Sequence, residues 1–181
     1  MIYFTSDLHF GHNKPFLYEP RGFASIEEHD RVIIDNWNSI VKPEDEVYVL
    51  GDMMLVDNEH GMECVGALHG RIKVIFGNHD TSTRRSLYLA APTIEVMGFA
   101  HQIKYGKYHF YLSHYPTSVG NYDDEIIHNK FYCLCGHTHT QDKFKDFASF
   151  KSYHVELDAH NNYPVSIETI IQDIKSYKVI M

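Results

Sequence analysis

Apolar residues follow two rhythms along this chain, and their order predicts the fold. Ile2 to Ser6, Glu46 to Leu50 and Arg71 to Phe76 are compact β-prone runs, ending at Asp7, at Gly51-Asp52 and at Gly77-Asn78-His79-Asp80. Between the first two runs Ile33, Trp37 and Ile40 recur at helical intervals, behind Ser25 and Glu28 in capping-box spacing, and Lys42-Pro43 closes the helix. A second helix is predicted over Glu59 to Leu68, stopped by Gly70. Strand, helix, strand, helix, strand in this order implies a mainly parallel sheet.

The second half is richer in strands. Ile94 to Met97, Phe99 to Tyr105, Tyr108 to Ser113, Phe131 to Cys135 and Tyr153 to Leu157 read as extended, with a hairpin turn at Gly106-Lys107. A short helix is expected over Asp123 to Asn129. A longer one is expected over Ser166 to Tyr177, with Ser166 as cap and Ile167, Ile170, Ile171 and Ile174 as its apolar stripe. The expected fold class is α/β, a four-layer-like α/β/β/α sandwich of two mixed β-sheets flanked by helices. No internal repeat, low-complexity stretch or linker composition interrupts residues 1–181, so a single domain is expected.

Composition narrows the function classes. A chain of 181 residues with 44% apolar content buries one substantial core. A formal charge of -8, from 16 basic and 24 acidic residues, argues against a basic groove tracking long nucleic acid. No apolar run approaches the roughly 20 residues of a membrane span, and the opening Met1-Ile2-Tyr3 leads into a strand, so neither membrane nor export is expected. Three cysteines without framework spacing fit a reducing, cytoplasmic setting. Cys133 and Cys135, on one strand face, read as core thiols, since no second cysteine pair completes a zinc site.

Candidate chemistry gathers at the ends of the predicted strands. Asp7-Leu8-His9, Gly51-Asp52, Gly77-Asn78-His79-Asp80, Ser113-His114 and Gly136-His137-Thr138-His139 each stand where a strand gives way to a loop. Aspartate, asparagine and histidine are the oxygen and nitrogen donors of first-row divalent metals, and loops beyond the carboxyl ends of α/β strands converge on one crevice. Asp7, His9, Asp52, Asn78, His114, His137 and His139 are therefore the candidate metal ligands, with Asp52 placed to bridge two ions. Each has a plainer reading alone: a turn aspartate, a surface histidine pair, a loop histidine. His12 and Arg21, in the loop after the first strand, are candidates for binding a substrate phosphate, Arg21 by a bidentate fork, with surface placement as the alternative. Tyr115, Tyr122 and Tyr163 are candidate substrate contacts. His60, His69, His101, His109, His128 and His154 lack motif context and read as ordinary surface or packing residues, while His160 stays open.

In this order the motifs D-x-H, G-D, G-N-H-[DE], H and G-H-x-H resemble those of the calcineurin-like metallophosphoesterases. The longer opening Ser6-Asp7-Leu8-His9-Phe10-Gly11-His12-Asn13 and the Asp158 to Ser166 segment are similar to the compact single-domain bacterial and phage type. The resemblance implies one metal on Asp7, His9, Asp52 and His139 and a second on Asp52, Asn78, His114 and His137. It implies catalytic roles for His79, which would not bind metal but would donate a proton to the leaving group or hold the phosphate, and for Asp80, orienting the His79 imidazole. The cofactors implied are two divalent ions, manganese (Mn2+) named first, with iron, zinc, nickel or cobalt as alternatives. The implied reaction is in-line attack of a metal-bridging hydroxide on a small phosphoester, a phosphodiester such as a nucleotide or cyclic nucleotide first. A phosphomonoesterase or protein phosphatase, or a non-catalytic metal-binding scaffold, are the alternatives. Leu55 departs from the family pattern, where an acidic or amide residue is common. The expected partner is a small phosphoester, with no long nucleic acid and no membrane, for a monomer or a homodimer paired through an edge strand.

Overall fold

The computed structural model describes residues 1–117, 131–147 and 150–180; the expected helix over Asp123 to Asn129, with Tyr122 and His128, lies outside them. Strands β1 (Ile2–Thr5), β2 (Glu46–Leu50), β3 (Arg71–Ile75) and β4 (Ile94–Gly98) lie side by side and parallel, and β10 (Val165–Ser166) adds an antiparallel edge beside β1. Their register is level, Thr5 opposite Val49 and Leu50 opposite Ile75, so the carboxyl ends of three strands open onto one place.

Alternation decides which side chain faces which layer. Val47, Val49, Ile72 and Val74 pack against Ile33 and Trp37 of α2 (Ile26–Ile40), Cys64 and Val65 of α3 (Asn58–Gly66), and Tyr88 of α4 (Ser82–Ala90). Phe4, Tyr48, Leu50 and Ile75 point to the opposite side and join a second cluster with Tyr108, Phe110, Leu112, Tyr132, Leu134 and Tyr153. The sheet is thus buried on both faces, which is why its strands read as nearly continuous apolar runs.

The second cluster is supplied by a second mixed sheet in the order β5 (Ala100–Tyr105), β6 (Tyr108–Ser113), β7 (Phe131–Cys135), β9 (Phe150–His154), β8 (Phe144–Phe147). The pairs β6–β7 and β7–β9 are parallel, while β5–β6 and β8–β9 are antiparallel. Helix α5 (Ile167–Ile180) adds Ile167, Ile170 and Ile174 to that core, and Ser166 Oγ accepts from Thr169 N at 3.1 Å as the predicted cap. The architecture is the expected α/β one, two mixed sheets flanked by helices. Among the described residues no helix is long and apolar enough to cross a membrane.

Several elements differ from the sequence reading. Helix α4 and the single turn α1 (Pro15–Tyr18) were not predicted: α1 is too short for a period to show, and α4 buries only Tyr88 of its own residues, so it carries no stripe. Strand β8 was also missed. The strand expected over Tyr153 to Leu157 is shifted to Phe150–His154 because the chain then leaves the sheet. Val155 N still donates to Cys135 O at 2.8 Å, Glu156 pairs with Ser6 of the other sheet, and a 3-10 turn at Leu157–His160 ends on Asn161 in the left-handed conformation. This crossing stitches the sheets together directly beneath Asp7.

Candidate metal centre

The candidate ligands sit one to four residues past strand ends, five of them on backbone that is seldom used. Asp7 (φ 57°), His9 (φ 53°), Asp52 (φ 57°), His137 (φ 73°) and His139 (φ 48°) are all left-handed, and none is glycine. Such a conformation costs of order 1–3 kcal/mol per residue and persists only where its surroundings impose it. They do so here: Asp7 N donates to Gly51 O and His9 N to Asp52 O, each at 3.0 Å, and His137 N donates to Asp7 Oδ2 at 2.8 Å. Gly136 is needed because a Cβ there would overlap Ser6 Oγ and Asp7 Oδ2.

Seven side chains from five loops converge in two groups. In the first, His9 Nε2 lies 3.2 Å from His139 Nε2, and these nitrogens lie 3.6 and 3.7 Å from Asp7 Oδ1. In the second, His114 Nε2 lies 2.8 Å from Asn78 Oδ1, 3.1 Å from His137 Nδ1 and 3.5 Å from Asp52 Oδ2. Asp52 Oδ2 is also 4.0 Å from His9 Nε2, so this oxygen stands between the groups. Bonds of roughly 2.0–2.2 Å at tetrahedral angles separate ligand atoms by roughly 3.3–3.6 Å, and the spacings found here bracket that range.

The donor chemistry fits divalent cations on four further counts. Asp7 Oδ1 is buried without a hydrogen-bond partner, an arrangement that a cation would satisfy. Burial, with the Asp7 and Asp80 carboxylates adding to it, pushes Asp52 up to about 7 against the pull of His114, so these carboxylates lack compensating positive charge. Burial drives His9 down to about 4, leaving a neutral imidazole ready to ligate at neutral pH. His114 Nδ1 lies 2.8 Å from Leu50 O, and since a carbonyl only accepts, the proton sits on Nδ1 and the Nε2 lone pair faces the group.

Residues behind the ligands hold them in place. Asp158 Oδ2 accepts from Arg21 Nη2 at 2.7 Å and lies 3.1 Å from His139 Nδ1, fixing that proton and freeing His139 Nε2. Burial opposes protonation of His139, but Asp158 and Asp7 outweigh it and hold the imidazole above its ordinary range. Arg21, expected at a substrate phosphate, is buried behind the ligands: it also donates to Asp7 O at 2.9 Å and lies 3.0 Å from His29 Nε2. Its fork is occupied by the protein itself. Asp158→Asn is accordingly expected to weaken metal binding by roughly 10–100-fold with the fold retained, measured by metal titration of stripped protein.

Asp80 also acts differently from the expectation. Its Oδ2 accepts from Gly77 N at 2.7 Å and Asp52 N at 3.0 Å, and its Oδ1 accepts from Tyr88 OH at 2.8 Å. Both oxygens thus fasten two ligand-bearing loops to α4 and neither orients the His79 ring. His79 itself lies exposed at the mouth, its ring 5.6 Å from that of His9 and its N–H donated to Asp52 Oδ1 at 2.9 Å. Burial, then Arg84 and His114, hold its pKa below the ordinary imidazole value. His12 also lines the mouth, its ring 5.6 Å from His9 and 5.6 Å from exposed Phe16. On the opposite side the half-exposed Tyr115 ring lies 4.6 Å from that of His137.

Glu156, Asp158 and Tyr88 were not singled out as supporting residues, because their roles come from contacts across the fold. Fully buried Glu156 accepts from Thr138 Oγ1 at 2.9 Å and lies 3.1 Å from His154, bracing the His137–His139 loop. His154 is therefore part of a buried network, not an ordinary packing residue. His160, left open, is committed to His154 O at 2.8 Å. Tyr163 is exposed, and Asp57, the acidic residue nearest Leu55, caps α3 by accepting from Glu59 N and His60 N.

Residues 1–152 match the model of the calcineurin-like phosphoesterase superfamily domain. An uncharacterised protein of Methanocaldococcus jannaschii is 33% identical over 99% of this chain and 94% of its own length. The gene 66 protein of Mycobacterium phage D29 is 29% identical over 96% of this chain and 97% of its own. A solved structure of a protein of unknown function from Aquifex aeolicus superposes with a TM-score of 0.71 at 26% identity, over 95% of this chain and 98% of that one. With its ligand motifs brought together at the ends of two sheets, the chain belongs to the calcineurin-like phosphoesterase superfamily, as a metal-dependent phosphoesterase.

Proposed function

We propose that the protein hydrolyses a small phosphodiester, of the nucleotide or cyclic-nucleotide class, with two divalent ions, manganese first among them. The observation that carries this reading is the pair of donor groups sharing Asp52 Oδ2, with His79 at their open side. When bound, such ions supply an acidified water and a Lewis-acid clamp on phosphate oxygens. Asp7, His9, Asp52 and His139 would hold one, and Asp52, Asn78, His114 and His137 the other.

The remaining work falls to the chain. The His79 imidazole is placed to hydrogen-bond a phosphate oxygen or the leaving oxygen, and the charge of a bound phosphoester raises its pKa toward the range of a proton donor. Two features favour a diester. Asn78, His79 and His137 are exposed, leaving room for substituents on both sides of phosphorus. Arg21, the guanidinium that would grip a monoester dianion, is turned inward to Asp158. Phe16 and Tyr115 flank the mouth as exposed rings suited to a planar base, which stacks with roughly 1–3 kcal/mol per base. The buried free thiols of Cys64, Cys133 and Cys135 support a reducing cytoplasmic setting, for a monomer or homodimer.

Metal-stripped protein resupplied with manganese, nickel, zinc or magnesium is expected to turn over bis-p-nitrophenyl phosphate in preference to p-nitrophenyl phosphate. The reverse preference would make it a monoesterase. Bound metal without turnover of either would remove catalysis from the reading.

A further inference from the structure

A third cluster of donors lies apart from both groups, where α2 meets α3. Asp30 Oδ2 is 2.8 Å from His60 Nε2, and Cys64 Sγ is 3.4 Å from the same nitrogen; the three ligand atoms lie within 4.8 Å of one another. His60 and Cys64 stand one turn apart on α3, so their side chains share a face, and Asp30 reaches them from α2. Bonds of roughly 2.3 Å to sulfur and 2.0 Å to nitrogen at a tetrahedral angle would set those two atoms roughly 3.5 Å apart.

The surroundings favour an ion over a plain hydrogen bond in two respects. The second Asp30 oxygen, Oδ1, lies 2.8 Å from Nδ1 of the fully buried His29, the kind of backing that orients a ligating carboxylate. Asp30 and Cys64 are buried while the His60 side chain is 42% exposed, which leaves one side open for entry and for a water as fourth ligand. Thiolate, imidazole and carboxylate together select zinc, whereas the candidate centre described above contains no sulfur.

We propose that Asp30, His60 and Cys64 bind one zinc ion. Binding displaces the proton between His60 and Asp30 and the thiol proton of Cys64, both released to solvent. The ion also reaches the front of the molecule. Gly11 N donates to Asp30 Oδ2 at 3.0 Å, and Gly11 lies in the loop that carries His9 and His12. Zinc here clamps α2 and α3 beneath that loop. The site shares no ligand with the candidate centre, so it stands or falls independently of the proposed hydrolysis.

Cobalt(II), added to the full chain, is the probe, since sulfur-to-cobalt charge transfer reports only on a thiolate-bound ion. The expected result is a near-ultraviolet band saturating at one ion per chain. It is retained in Asp52→Asn, reversed by added zinc, and lost in both Cys64→Ser and His60→Ala. His60→Ala alters a half-exposed side chain and keeps the test open if the buried Cys64→Ser does not fold. Absence of the band at saturating cobalt overturns the proposal, as does a band that survives either substitution.

Discussion

Asp52→Asn is expected to lose both of the proposed metal ions and to cut hydrolysis by roughly 10³-fold or more, the scale of removing a preorganised electrostatic element from a site whose proposed nucleophile is a metal-acidified water. The shared oxygen is the reason. Asp52 Oδ2 lies 4.0 Å from His9 Nε2 on one side and 3.5 Å from His114 Nε2 on the other. An amide keeps the shape but loses the charge, and one of its two positions would turn N–H toward a cation. Of the bonds at this residue, His9 N to Asp52 O and Asp52 N to Asp80 Oδ2 do not involve the altered atoms, and the asparagine Oδ1 can still accept from His79 N. The fold should therefore survive.

A stability measurement separates lost metal from lost structure. In the metal-free protein Asp52 has its folded-state pKa raised from the ordinary carboxylate value to about 7, by burial first. The unfolded chain releases this proton at lower pH, so metal-free stability falls as pH rises from about 4 to about 7. D52N removes that contribution, and its metal-free melting temperature at neutral pH is expected to equal or exceed that of the wild type. Metal content by atomic spectroscopy and metal-free melting together decide the matter. Full metal occupancy in D52N would show that Asp52 is no ligand.

His79→Ala is expected to do the opposite, leaving both metals bound while slowing hydrolysis of substrates with poor leaving groups by roughly 10²–10⁴-fold. Its ring belongs to neither donor group, and its structural contacts are made by backbone: His79 N donates to Asp52 Oδ1, and His79 O accepts from Arg84 Nη1. Alanine preserves both. Substrates leaving as p-nitrophenolate need little protonation and should be slowed much less than alkyl esters, if His79 serves as proton donor. Equal slowing of both would assign His79 to holding the phosphate. Loss of metal in His79→Ala would remove the distinction on which both roles depend.

How much was legible varies by element. Strands β2, β6 and β7 were readable to the residue because buried sheets impose continuous or alternating apolar runs over four to six positions. Helix α2 was readable through Ser25, whose Oγ accepts from Glu28 N, and through Ile33 and Trp37. Helix α4 was not, since Tyr88 is its one buried residue and the Tyr88 OH bond to Asp80 is specific to this fold. The shift of the strand expected over Tyr153 to Leu157 has the same origin: Val155 still bonds to Cys135, but Glu156 pairs with Ser6 of the other sheet.

By itself the sequence determined which atoms can do chemistry here: oxygen and nitrogen donors in a fixed order, each behind a strand that would deliver it to a common edge. That is a local property, written in residue type and periodicity. Only the tertiary structure decided how those atoms face one another. Asp7 and His137 are separated by 130 positions yet joined by a 2.8 Å hydrogen bond, and His9 and His139 meet at 3.2 Å from two sheets. Five non-glycine candidate ligands in left-handed backbone give no sign in the sequence, because the conformation is imposed by neighbouring strands and opposes local preference. Arg21 and Asp80 make the same point. Their chemistry suggested the substrate and the imidazole, but each buried charge settled where partners could satisfy it, Arg21 on Asp158 and Asp80 on two backbone N–H groups and a tyrosine.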